Sequence, residues 1–152
     1  MLQRIQTVYL LIIAVLAALM LVMPLSVLQI GDTFYTFEAF GVNAVMTTSE
    51  IVYPTWGLFV LAALVSLLAL FTIFLYKKRM LQIRLCIFNA ILMLGFYGFF
   101  AYLIVIMKQQ LDVSVSVRIA LSFPLICLIL DYLAIRNIGA DETLVRSLER
   151  LR

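Results

Sequence analysis

Asp131 is the residue of this chain best placed to do chemistry. It stands in Leu128-Ile129-Leu130-Asp131-Tyr132-Leu133, inside an apolar run and about one helical turn from that run's basic end. An ionised group at membrane depth costs at least about 2–3 kcal/mol, so such residues face a bundle and take partners. One reading is proton or ion coupling. The other, which we favour, is a structural ion pair with Arg84 at the start of the third apolar run; Arg136, five residues on, is less well placed. A relay across a bilayer would want acids at several depths, and the first three apolar runs contain no Asp or Glu. Asn89 is expected to lie on a face similar to that of Arg84 and Cys86 and to make a helix–helix polar contact, with Gln82 as a further candidate.

Other chemistries lack their residues. The chain has no histidine, which removes His-based metal sites, general bases and pH switches. Cys86 and Cys127 lie in separate runs and form no CxxC pair, so zinc and thiol redox catalysis are unsupported, and buried free thiols are expected. No paired aspartates and no serine–base pair for intramembrane hydrolysis are visible. The stretch Gly95-Phe96-Tyr97-Gly98-Phe99-Phe100 spaces its glycines by three, not the four of GxxxG, and its aromatics are read as packing before a lipid or quinone groove. The residues therefore predict no enzyme, no metal and no cofactor.

The elements that must hold these residues follow from composition. The 152 residues are 66% apolar and 12% charged, with a mean hydropathy of +1.17. Soluble domains are typically about 45–50% apolar and about 25% charged. Four runs, about 5–28, 53–76, 85–107 and 117–135, each approach the ~20 residues that cross a hydrocarbon core as helix. Backbone groups in lipid must be satisfied internally, so helices are expected, and the alternation of a barrel is missing. The first run is longer than a signal h-region and ends in Met23-Pro24-Leu25 without a small-residue cleavage site, so it is read as a retained anchor helix. Pro124 should kink the fourth helix.

Charge sets the expected orientation. Arg4, the basic loop 77–84 with Lys77, Lys78, Arg79 and Arg84, and the tail 136–152 with four arginines place nine cations on one side. The outer loops 29–52 and 108–116 with Arg118 beside them hold two, which accounts for all 11. The positive-inside rule puts both termini in the cytoplasm. The net charge of +3 reflects this arrangement and does not point to nucleic acid.

Two local features stay open. Gly31-Asp32 followed by the aromatic stretch 34–40 suits either a small hairpin or an irregular loop lying on the bilayer. Pro54 and Trp56 suit the opening of the second helix at the interface. In the tail, Asp141 or Thr143 can cap a separate amphipathic helix whose Leu144, Leu148 and Leu151 share one face. That helix would either dock a cytoplasmic partner or rest on anionic headgroups.

Three blocks carry a resemblance: Gln3 to Leu11 at the start, Lys77 to Asn89 in the middle, and Leu130 to Arg136 with Asp141 to Leu148 at the end. Together they resemble the four-helix membrane proteins of the Bacteroidetes grouped as domain-of-unknown-function family 4293. The resemblance covers essentially the whole chain and implies a bacterial inner (cytoplasmic) membrane location. It implies no activity, catalytic residue or cofactor.

The expectation is a single all-α domain, a four-transmembrane-helix bundle whose partners are the bilayer and other membrane proteins, with a homo-oligomer compatible. Its expected role is that of a non-enzymatic accessory subunit of a larger assembly, such as a protein-export or envelope-biogenesis complex. The alternative is a small transporter or channel using Asp131.

Overall fold

The computed structural model describes residues 2–44 and 51–152; residues 45–50 of the outer loop, with Glu50, lie outside the described residues. Four long helices dominate: α1, Leu2–Val22; α2, Trp56–Phe74; α3, Arg79–Leu111; and α4, Phe123–Arg150. Each is long and apolar enough to cross a membrane. Each helix packs on the next in the chain, and α4 closes back on α1.

One rule generates this ring. Buried positions recur in steps of four and three: Gln6, Leu10, Ile13, Ala17 and Met20 on α1; Leu58, Ala62, Val65, Ala69 and Thr72 on α2. The stripe on α3 is Gln82, Cys86, Asn89, Met93, Phe96, Phe100, Leu103 and Met107, and that on α4 is Pro124, Cys127, Asp131, Ala134, Ile138 and Asp141. A repeat of 3.5 residues keeps one narrow seam turned inward along a whole helix, the pattern of bundle packing. The remaining faces stay apolar, with Val8, Val15, Phe71, Phe88, Ile91 and Ile129 exposed, as suits hydrocarbon and not water.

The helix ends differ from the sequence expectation, each for a local reason. The first run was read through residue 28, but α1 stops at Val22, because Pro24 lacks a backbone N–H and disfavours helix before it. The apolar residues beyond it form a strand, Ser26–Ile30. Pro54 closes a strand instead of opening a helix, and α2 begins after Thr55, whose hydroxyl donates to the carbonyls of Glu38 (3.0 Å) and Ala39 (3.1 Å). The basic segment 77–84 is mostly the first turns of α3, and Pro124 sits in the first turn of α4, where a missing N–H costs nothing and no kink is required. The tail is not a separate helix. It continues α4 to Arg150, so Asp141 and Thr143 lie within that helix, and the Thr143 hydroxyl donates to the Ala140 carbonyl at 2.8 Å.

The expectation of an all-α fold is corrected by a five-stranded antiparallel sheet: β1, Ser26–Ile30; β2, Thr33–Phe37; β3, Gly41–Ala44; β4, Ile51–Pro54; and β5, Ser114–Val117, in the order β4-β3-β2-β1-β5. The hairpin reading of Gly31-Asp32 holds for β1 and β2. Ile30 pairs with Thr33, and Gly31 takes φ +60° while Asp32 does not take a positive φ, as in the two-residue turns that start with glycine. β5 comes from the short segment after α3, where no strand was expected.

The sheet alternates cleanly. Leu28, Ile30, Tyr35, Phe37, Val42 and Val115 turn to the bundle, while Gln29, Phe34, Thr36, Asn43, Ser114 and Ser116 turn away. Phe37 meets Phe100 edge to face, with ring centroids 5.1 Å apart. The helix ends Val22, Trp56 and Leu111 and the 3₁₀ turn Ile119–Ser122 before α4 all adjoin this sheet. Both termini therefore lie at the opposite end of the bundle. Close helix approach occurs at Gly57, where an added Cβ would come within 2.7 Å of the Phe99 ring, and not at Gly95 or Gly98, which have nothing within 4 Å.

Phe37→Ala should destabilise the protein by about 3–5 kcal/mol, because it empties the junction of sheet and bundle. Gly31→Val should cost about 1–2 kcal/mol through left-handed backbone strain alone. Equilibrium unfolding of the detergent-solubilised chain would measure both, and a Gly31→Val loss as large as that of Phe37→Ala would contradict this ranking.

A candidate functional site in the polar seam

Polar side chains interrupt the apolar seams and tie the ring of helices together. Asp131 of α4 is fully buried and accepts a hydrogen bond from Asn89 Nδ2 of α3 at 3.0 Å. Nearer the termini, Gln6 Nε2 of α1 donates to Asp141 Oδ2 of α4 at 3.1 Å, and Arg79 Nη1 donates to the Asp141 carbonyl at 3.2 Å. Gln82 Nε2 of α3 donates to the Thr72 carbonyl of α2 at 3.4 Å. Ser66 Oγ of α2 donates to the Ala14 carbonyl of α1 at 3.2 Å. Toward the sheet, the Tyr97 hydroxyl donates to the Leu121 carbonyl (2.7 Å) and accepts from the Leu125 N–H (2.9 Å), meeting backbone groups at the start of α4. All four helix–helix interfaces thus carry a side-chain hydrogen bond. In hydrocarbon each such bond contributes about 0.6–2 kcal/mol.

The expected ion pair between Asp131 and Arg84 is replaced by the Asn89 contact. Arg84 is exposed, as is Arg136. Helical geometry gives the reason: five residues turn about 500°, so Arg84 and Asn89 point about 140° apart. Gln82, Cys86 and Asn89, spaced four and three, share the inward face instead. Among the described residues the one ion pair is Arg146 with Glu142, on the exposed end of α4. Asn89 Oδ1 and Asp131 Oδ1 are both buried without a hydrogen-bond partner among the described residues.

The remaining site residues separate. Cys86 and Cys127 are buried free thiols, and the Cys127 thiol lies 4.0 Å from the Ile13 carbonyl, which accepts from it. Among the described residues no three His, Cys, Asp or Glu side chains converge as a metal site would require. Lys77, Lys78 and Arg79 cluster at the α2–α3 turn, on the terminal end of the bundle together with Arg4. Leu144, Leu148 and Leu151 are exposed at 55%, 66% and 85%. Sequence reasoning missed Gln6, Ser66, Thr72 and Asp141. A signal for one of them was present: continuing the three–four register from Asp131 through Ala134 and Ile138 arrives at Asp141.

The fold and this seam define a membrane protein of the four-helix-bundle class, capped at one end by a sheet. The model of the domain of unknown function DUF4293 matches residues 2–151, and the chain belongs to that family. No curated protein and no solved structure matches the chain.

Asn89→Leu should destabilise the bundle by about 2–3 kcal/mol, since it strands the Asp131 carboxyl in the core. Asn89→Leu with Asp131→Leu should recover part of that loss. A double-mutant cycle in detergent would read the coupling, and strictly additive losses would show that the two side chains do not act as a pair.

Proposed function

We propose that this chain is a non-enzymatic integral membrane protein that serves as an accessory subunit of a larger assembly in a bacterial inner membrane, with both termini in the cytoplasm. The observation that carries the reading is the overhang of α4. From the Asn89–Asp131 contact, α4 runs about 28 Å on to Arg150, while α3 runs about 15 Å back to Arg79, at 1.5 Å per residue. The last ~13 Å of α4 therefore projects beyond its neighbour. It holds Leu144 and Leu148 exposed on a continuous helix, with Leu151 exposed just past its last residue. An apolar stripe on a helix that stands away from the membrane face suits a protein partner.

The inward polar groups support a subunit over a transporter. The Asn89–Asp131, Gln6–Asp141, Gln82–Thr72 and Ser66–Ala14 contacts each join one helix to another, so the atoms that make them serve helix packing; Asn89 Oδ1 and Asp131 Oδ1 stand outside these contacts. Orientation rests on the cations at the terminal end, Arg4, Lys77, Lys78, Arg79 and Arg84, under the positive-inside rule. Protein export or envelope biogenesis remains the kind of assembly this reading favours.

Capture of the tagged chain from native membranes in mild detergent should recover a stoichiometric membrane-protein partner. Leu144→Glu with Leu148→Glu should abolish that recovery while leaving the unfolding midpoint unchanged, because neither side chain packs in the core. Capture that survives both substitutions would remove the α4 overhang as the contact. Recovery of the chain alone in every detergent would count against a subunit role.

A further inference from the structure

A groove of about 560 Å³ lies at the terminal end of the bundle, between the α2–α3 turn and the overhang of α4. Lys77, Lys78, Arg79, Met80 and Leu81 form one wall, and Glu142, Val145, Arg146 and Glu149 form the other. Its two walls are tied to each other: Arg79 donates to the Asp141 carbonyl, and Gln6 holds the Asp141 carboxylate from α1. The groove carries four cations against two carboxylates. One carboxylate, Glu142, is already engaged by Arg146 Nε at 3.1 Å. Lys77 and Lys78 are exposed and have no ion-pair partner among the described residues.

Depth decides what can reach this groove. It opens where α2 and α3, both long enough to span, turn around, which places it beside the membrane surface. Phe74 and Tyr76 stand exposed just before it, at 78% and 51%, and Lys77 Nζ lies 5.8 Å from the Tyr76 ring centre. Aromatics at that level mark a membrane interface. Met80 and Leu81, exposed on the lip, offer apolar surface to an acyl chain. A basic pocket between helices at headgroup depth suits an anionic lipid.

We propose that this groove binds the phosphate of an anionic phospholipid headgroup, with Lys77, Lys78 and Arg146 as its ligands and Arg79 holding the two walls in place. This inference needs no protein partner and stands apart from the subunit reading. The full-length chain in neutral detergent would be titrated with phosphatidylglycerol, with phosphatidylcholine and with inorganic phosphate, and followed by native mass spectrometry. Phosphatidylglycerol should bind at least about tenfold more tightly than phosphatidylcholine, and each of K77Q, K78Q and R146Q should weaken it about fivefold. Substituting the cations of the sheet end, Lys108→Gln and Arg118→Gln, should leave that affinity unchanged. All three groove residues are exposed, so the single variants should fold, and a thermal melt would verify it. Equal binding of the two lipids, or full affinity in the variants, would overturn the proposal. Inorganic phosphate binding as tightly as phosphatidylglycerol would overturn the lipid assignment in favour of a free anion.

Discussion

The narrow inward seam, repeated at 3.5 residues on all four helices, is the constraint on which the rest of the structure depends. Lipid offers no hydrophobic drive to bring helices together, so association rests on close packing and on polar contacts. The seam supplies both. Alanines at 14, 17, 62, 69 and 134 keep the axes close, and polar residues recur in the same register, where only another helix can satisfy them. Because each of the four interfaces has its own hydrogen bond, a slip of any helix by one residue would turn a polar group toward hydrocarbon. The register is thus fixed by polarity as much as by shape.

Two helices of unequal reach then divide the molecule. From the Asn89–Asp131 level, α3 runs about 33 Å toward the sheet, while α4 begins only about 12 Å away in that direction. The apolar flank of α3 left above its neighbours, with Phe100, Leu103 and Met107, is covered by the sheet through Leu28, Phe37 and Val42, and by Val113 in the connection to β5. At the other end the overhang belongs to α4, and among the described residues no element covers its leucines. One surplus of helix is buried internally and the other is presented outward. That asymmetry is why the terminal end carries both the partner reading and the lipid groove.

Much of this was legible in the residues. The four apolar runs and the burial of Asp131 and Asn89 follow from length and the cost of polar groups in lipid, while turn chemistry offered the Gly31-Asp32 hairpin as one of two readings. The boundaries did not follow, because a strand such as Ser26–Ile30 is as apolar as the helix before it, and an apolar run has no visible seam between the two. Gln6, Ser66 and Thr72 were equally hidden, since the groups they meet lie on other helices, 135 residues away in the case of Gln6 and Asp141; of the four, Asp141 alone was reachable, by continuing the register of Asp131.

By itself, the sequence determined that the chain has four helices long and apolar enough to span a membrane, because run length and hydropathy are local properties of the chain; which face of each helix turns inward was decided by the packing, which buries Asn89 and leaves Arg84 exposed. Tertiary structure alone decided which polar group meets which. Arg84 was nearest to Asp131 in expected depth, yet the bond went to Asn89, because partner choice depends on the rotation of one helix against another. The same holds for β5, four residues of alternating Ser and Val that become a strand only because the edge of β1 lies beside them.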